Sequence, residues 1–148
     1  MRLTRESQYA LLGLAFVASR PSGEAVPLGE IAAARRLPRT FLAKTFQKLA
    51  RHGLLVSHRG PGRGYALARH PAGISLREVL EAIEGPELFS RCLFWDTHCT
   101  DTNPCLLHQH VRGLVPEVSS VLERLTLADL ADGPPPLRLA GKRKGGTP

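Results

Sequence analysis

The chain has 148 residues, 43% of them hydrophobic, with 20 Lys and Arg against 13 Asp and Glu and a formal charge of +7. That length gives room for one domain plus an extra element, and such a chain buries roughly 68–70% of its unfolded surface without needing disulfides. No apolar run approaches the roughly 20 residues that span a bilayer, and MRLTRESQYA opens an amphipathic segment rather than a signal peptide, so the chain is expected in the cytoplasm, away from membranes.

In chain order, Thr4 is placed to N-cap a first helix, with the Glu6 carboxylate favourable to the dipole. Tyr9, Leu12, Phe16 and Ala10, Leu14, Val17 fall on helical spacing, and Pro21-Ser22-Gly23 stops the run. A short second helix is predicted from about Leu28 to Arg36. Leu37-Pro38 breaks it, and a third helix begins at Arg39-Thr40. In the third, Phe41 and Leu42, Thr45 and Phe46, then Leu49 recur at four-residue steps, and Gly53 suits the position just past its end. LLVSHRGPGRGYALAR then reads as two short strands around Gly60-Pro61-Gly62-Arg63-Gly64, a hairpin. Ser75-Leu76-Arg77-Glu78 is a capping box opening a fourth helix to about Glu84, which Gly85-Pro86 ends. A polar loop follows. After it, Leu107, Val111, Leu114, Val118, Val121 and Leu125 recur at spacings of 4, 3, 4, 3 and 4, the seam of a long helix that Pro116 should bend. The Pro/Gly/basic tail 133–148 is expected to be disordered.

Charge is distributed unevenly. From Ile31 to Arg77 there are ten Lys or Arg and no acid, whereas Glu78 to Asp132 carries ten acids against Arg91, Arg112 and Arg124. An acid-free stretch of this kind is the footprint of a polyanion-binding surface. Helix, short helix, tight break, basic helix and Gly-tipped basic hairpin is the order of a winged helix-turn-helix. In that fold Arg39, Thr40 and Lys44 would reach base edges and phosphates. Arg59, Gly60, Pro61, Gly62, Arg63 and Gly64 would bring the hairpin tip to the backbone or minor groove, and Arg2 adds a basic contact at the N-terminus. A small winged domain binds weakly alone, so the 107–125 seam reads as the pairing element of a homodimer on a palindromic double-stranded operator.

All three cysteines lie in RCLFWDTHCTDTNPCLLH, as C-x6-C-x5-C-x2-H. Several chemistries are open on these residues. A thiol catalyst would pair a cysteine with His98 or His108 and an orienting Asp96 or Asp101, yet three cysteines exceed what one nucleophile requires, and no enzyme is expected. Zinc accepts Cys3His, though the spacing lacks the usual C-x2–4-C knuckle. Core packing fits poorly with the polar neighbours. Three thiolates with a weaker fourth ligand suit a labile iron–sulfur cluster.

Together, MRLTRESQYALLGL, the wing RGPGRGYAL and the cysteine–histidine spacing before a long helix resemble the family of the iron–sulfur regulator IscR and the nitric-oxide-sensing repressor NsrR. The likeness runs over roughly residues 1 to 132. It implies a homodimeric winged-helix transcription regulator, mainly α with a small β-hairpin and a long C-terminal dimerisation helix. Residues 1–84 would be the DNA-binding domain, 85–104 the cluster-binding loop, and 105–132 the dimerisation helix and the segment after it. Cys92, Cys99 and Cys105 match the family's thiolate ligands. His108 matches the histidine that completes a [2Fe–2S] site. Some relatives instead take a ligand from an acid near the partner's N-terminus. The matching position here is Gln8, a poor iron ligand, which favours His108 and [2Fe–2S] over that arrangement, with [4Fe–4S] the other nuclearity. The resemblance implies a repressor sensing redox, nitric oxide or cluster status. The alternative is a winged-helix regulator that is cluster-free or based on zinc or thiols.

Overall fold

The computed structural model describes residues 3–95 and 98–133, so Arg2 and the tail from residue 134 onward lie outside the described residues. Three helices come first, α1 (Arg5–Ala18), α2 (Leu28–Arg35) and α3 (Arg39–Arg51). They are followed by the hairpin β1 (Leu55–His58) and β2 (Gly64–Leu67), a 3-10 turn at Pro71–Gly73, and α4 (Leu76–Glu84). The C-terminal part holds α5 (His108–Arg112), α6 (Val115–Arg124) and α7 (Leu127–Asp132). The chain is mainly helical with one antiparallel hairpin, and the first four helices and the hairpin form a winged helix-turn-helix.

The core follows from the helical spacing. Ala10 and Leu14 of α1, Ile31 of α2 and Leu42, Phe46 and Leu49 of α3 are all fully buried. Phe46 stacks edge-on against Tyr65 of the wing, centroid to centroid 5.3 Å. Gly13 makes room for its ring, because a Cβ there would lie 2.9 Å from Phe46 Cζ. Phe41, read from the sequence as part of the same face, is instead exposed, resting edge-on against Tyr9 at 5.4 Å. Between α2 and α3 the backbone turns through Arg36 in the left-handed region (φ 53°), and buried Leu37 donates its N–H to Ala32 O.

Local details depart from the sequence reading. Thr4 occupies the N-cap position of α1, but its hydroxyl accepts no cap bond from the helix amides and is turned to donate to Glu84 Oε1 at 2.7 Å, a charge-assisted bond. Only half of the capping box at α4 forms: Ser75 Oγ accepts from Glu78 N at 3.1 Å, while the Glu78 carboxylate pairs with Arg69. The hairpin gains a third partner, because Val26 and Tyr65 exchange backbone bonds of 2.8 and 2.9 Å. Gly64 serves that contact at the wing base and not the tip, since a Cβ there would fall 2.3 Å from Val26 O.

The largest correction concerns residues 107–125. The expected continuous seam helix is two helices, α5 and α6, separated at Gly113 and Leu114. Pro116 does not bend a helix interior. It sits in the first turn of α6, where its missing N–H has no intrahelical partner to lose. The chain then turns at Thr126 into α7, which the sequence reading left as an unassigned segment. Thr126 and Asp129 form a complete capping box, and Leu127 is fully buried. Leu76 N donates to Leu125 O at 2.8 Å and Leu127 N to Ile74 O at 3.0 Å, stitching this return to the start of α4. α7 packs on α1, and α6 lies along α4, where Arg77 bonds both Glu81 and Glu123 at 3.0 Å. Ser119 and Leu122 face inward from α6. Leu114, Val118, Val121 and Leu125 are exposed, between 36% and 56%, while Leu107 and Val111 are half-buried.

Candidate metal centre and nucleic-acid interface

The loop after α4 reverses direction twice. A turn at 87–91 is held by Ser90 N and Arg91 N donating to Glu87 O, and it delivers Cys92. A second turn, closed by reciprocal backbone bonds between Thr100 and Asn103, lies between Cys99 and Cys105. Cys105 N donates to Cys99 Sγ at 3.3 Å, folding the two cysteines together. As a result the three sulfurs lie within 4.8 Å of one another although they span fourteen positions of chain. Cys92 Sγ and Cys105 Sγ are 3.8 Å apart, and Cys99 Sγ is 3.2 Å from His108 Nδ1. Cys92, Cys99 and His108 line a cleft of about 500 Å³ whose other wall is formed by α5 and the start of α6.

Two amides, those of Trp95 and Phe94, point at Cys92 Sγ from 3.5 and 3.4 Å. They favour the thiolate, and with the neighbouring thiols they bring the Cys92 thiol down to about 7 against the opposing effect of burial. Cys99 shifts the other way. The Cys105 amide lowers it, but burial and the two neighbouring sulfurs outweigh that bond and push it up. The loop therefore holds Cys92 poised to ionise beside Cys99, which is not.

The donor set fits a metal or iron–sulfur group. Two sulfurs on one tetrahedral centre with bonds of about 2.3 Å must be roughly 3.8 Å apart, which is the separation of Cys92 and Cys105. Soft thiolates with one imidazole suit iron–sulfur clusters and zinc over hard cations. His108 is half-buried and meets a thiol, whereas His98 and His110 are exposed. Asp101, noted from the sequence as a possible orienting carboxylate, lies 3.1 Å from His108 Nε2, while Asp96 lies outside the described residues. Arg112, which the sequence reading gave no role, pairs with Asp101 at 2.7 Å. Its position four residues past His108 in a short helix was the available signal.

In the winged helix-turn-helix, Arg39, Thr40 and Lys44 are exposed along the first half of α3. The Arg39 guanidinium lies beside Gly29 at the start of α2. Arg59, Gly60, Pro61, Gly62 and Arg63 are exposed at the wing tip, where Gly60 (φ 80°) and Gly62 (φ 73°) adopt left-handed backbone and Arg63 N closes the turn onto Gly60 O. Lys48, also on α3, is committed inward: Nζ donates to Ile83 O at 2.8 Å and pairs with Glu6 at 3.6 Å.

Sequence and structure comparisons agree. The profile of the Rrf2 family, described as an iron-dependent transcriptional regulator, matches residues 3–133. The HTH-type transcriptional regulator IscR of Yersinia pseudotuberculosis is 32% identical over 147 residues, covering 99% of this chain and 89% of that protein. Among solved structures, CymR, the global cysteine regulator of B. subtilis, superposes with a TM-score of 0.75 at 24% identity over 88% of this chain and 96% of its own. IscR of T. potens does so at 0.69 and 23% identity, over 88% and 85%. At those identities the two structures speak for the fold.

Proposed function

The chain belongs to the Rrf2 family of transcriptional regulators, and from that premise we propose that it is a homodimeric repressor whose grip on a palindromic operator is set by an iron–sulfur cluster. Cys92, Cys99, Cys105 and His108 would hold the cluster. The observation that carries this reading is the gathering of the donors: the three sulfurs lie within 4.8 Å of one another and Cys99 Sγ is 3.2 Å from His108 Nδ1, a Cys3His set of the kind that would hold an iron–sulfur group. When bound, such a group supplies a centre open to oxidation, nitrosylation or loss.

The chain's own residues relate that site to DNA. The cysteine loop begins where α4 ends, and the end of α4 is clamped to α3 and to the start of α1. Lys48 of α3 holds Ile83 O, and Thr4, at the N-cap of α1, and Ser7 within it hold Glu84. Ordering the loop against α5 fixes the start of α6, whose exposed stripe Leu114, Val118, Val121 and Leu125 would pair two chains. Half-site spacing then depends on the loop, and by reciprocity operator DNA must alter cluster retention.

Anaerobic purification tests the reading. The wild type is expected coloured, with iron and sulfide in stoichiometric amounts, and Cys92→Ala, Cys99→Ala and Cys105→Ala colourless. A colourless wild type holding stoichiometric zinc ends it. The lowered Cys92 thiol, 3.8 Å from Cys105, favours a second reading as a cluster-free thiol regulator. That reading predicts operator binding that responds to oxidant with no iron present.

A further inference from the structure

His108 stands on the first turn of α5 with both ring nitrogens engaged. Nδ1 lies 3.2 Å from Cys99 Sγ and Nε2 lies 3.1 Å from Asp101 Oδ1. A neutral imidazole has one donor and one acceptor nitrogen, and an ionised carboxylate can only accept. The proton therefore belongs on Nε2, and the free lone pair on Nδ1 points toward the thiols. The same Asp101 oxygen takes Arg112 Nη1 at 2.7 Å, so the carboxylate is held from a second side. Its turn is fixed independently: Asn103 N donates to Thr100 Oγ1 at 3.0 Å and Asn103 Nδ2 to His98 O at 3.0 Å.

We infer that Asp101, braced by Arg112, is the positioning residue that commits His108 to ligation through Nδ1. This rests on the cluster reading above and names which atom of the fourth ligand serves and what sets it. Both Asp101 and Arg112 are two-thirds exposed, at 67% and 66%, so as a plain surface ion pair they would contribute little. Their effect passes through the imidazole, which is only 18% exposed. Carboxylate partners of metal-bound histidines commonly alter metal affinity by roughly 10- to 100-fold.

The experiment has two arms. In the cluster-free protein, nitrogen-15 NMR of the histidine ring should show protonated Nε2 and bare Nδ1 in the wild type and in Asp101→Asn, whose amide oxygen still accepts. Fixation of the ring should be lost in Asp101→Leu. In the loaded protein, cluster half-life under a chelator should fall roughly 10- to 100-fold in Asp101→Leu, largely recover in Asp101→Asn, and be no shorter in Asp101→Leu/His108→Ala than in His108→Ala alone. A wild-type ring protonated on Nδ1, or an Asp101→Leu effect that persists in full without His108, overturns the assignment. A wild type that binds cluster through its cysteines while Asp101→Leu behaves as wild type leaves the site standing and removes Asp101. A wild type that binds no cluster removes both.

Discussion

Glu84→Ala should unfold more than its surface position implies. One carboxylate oxygen accepts three hydrogen bonds, from Thr4 N and Thr4 Oγ1 at 2.7 Å and from Ser7 Oγ at 2.6 Å. Thr4 is exposed and recovers its bonds from water, but Ser7 is fully buried and would keep a hydroxyl with no acceptor. An orphaned buried hydroxyl costs about 1–3 kcal/mol, and losing a bond to a charged acceptor falls in the same range, so about 2–3 kcal/mol in all is expected. Burial alone would raise the Glu84 carboxyl, but the Ser7 and Thr4 bonds and the Lys48 ammonium outweigh it and hold it below the usual carboxylate range. A depressed folded value means the stabilisation is present above the unfolded value of about 4.3 and is lost as pH falls through the folded one. Urea midpoints at one fixed protein concentration should separate wild type from Glu84→Ala at pH 7, and the gap should narrow as pH falls through the depressed folded value, because a protonated carboxyl holds its three donors less tightly. On a Ser7→Ala background the same change should cost about 1 kcal/mol, because no hydroxyl is left orphaned. A gap under about 0.5 kcal/mol at pH 7, or one that ignores pH and Ser7 alike, would refute the reasoning.

Gly13→Ala drives a methyl to 2.9 Å from a ring that is itself fully buried; a loss of about 1–3 kcal/mol in thermal or urea unfolding is expected. Arg59→Ala and Arg63→Ala should each weaken DNA binding across all sequences and lower the salt slope by about one unit, read by fluorescence anisotropy at several ionic strengths; an unchanged slope contradicts the wing contact. Val118→Glu with Val121→Glu places charges on the exposed stripe of α6, so sedimentation should show at least about a tenfold weaker dimer, whereas an unaltered association locates pairing elsewhere.

Much of the fold can be read from spacing. Leu42, Phe46 and Leu49 mark the inner face of α3 by period alone, and Gly-Pro-Gly announces a hairpin. The cysteine spacing likewise isolates the residues that the fold gathers within 4.8 Å. What sequence patterns miss is long-range pairing. Thr4 has the residue type and position of a cap, but its hydroxyl is oriented as donor to a carboxylate eighty residues away. Val26 carries no strand signal, because its pairing with Tyr65 depends on Gly64 lacking a Cβ. The heptad count across 107–125 is real, yet Gly113 interrupts it, and periodicity does not register a break that preserves the phase. Asp101 is legible as a candidate orienting carboxylate, but its pairing with His108 and its brace by Arg112 emerge only once a turn and a single helical turn bring the three together.

The stretch from Gly85 to Leu125 leaves the DNA-binding body at one end of α4 and is stitched back at the other, where Leu76 N meets Leu125 O. In polymer terms it is a ring already closed by the fold, and a group held by the cysteines, as proposed, would be a staple across the inside of that ring. Closing a loop within a loop restricts few additional conformations, since closure entropy grows only logarithmically with length. On the proposed function, filling and emptying the site would then order and disorder the inner span while the body around it stays folded, so the same molecule would pass through many cycles of signal without being made again.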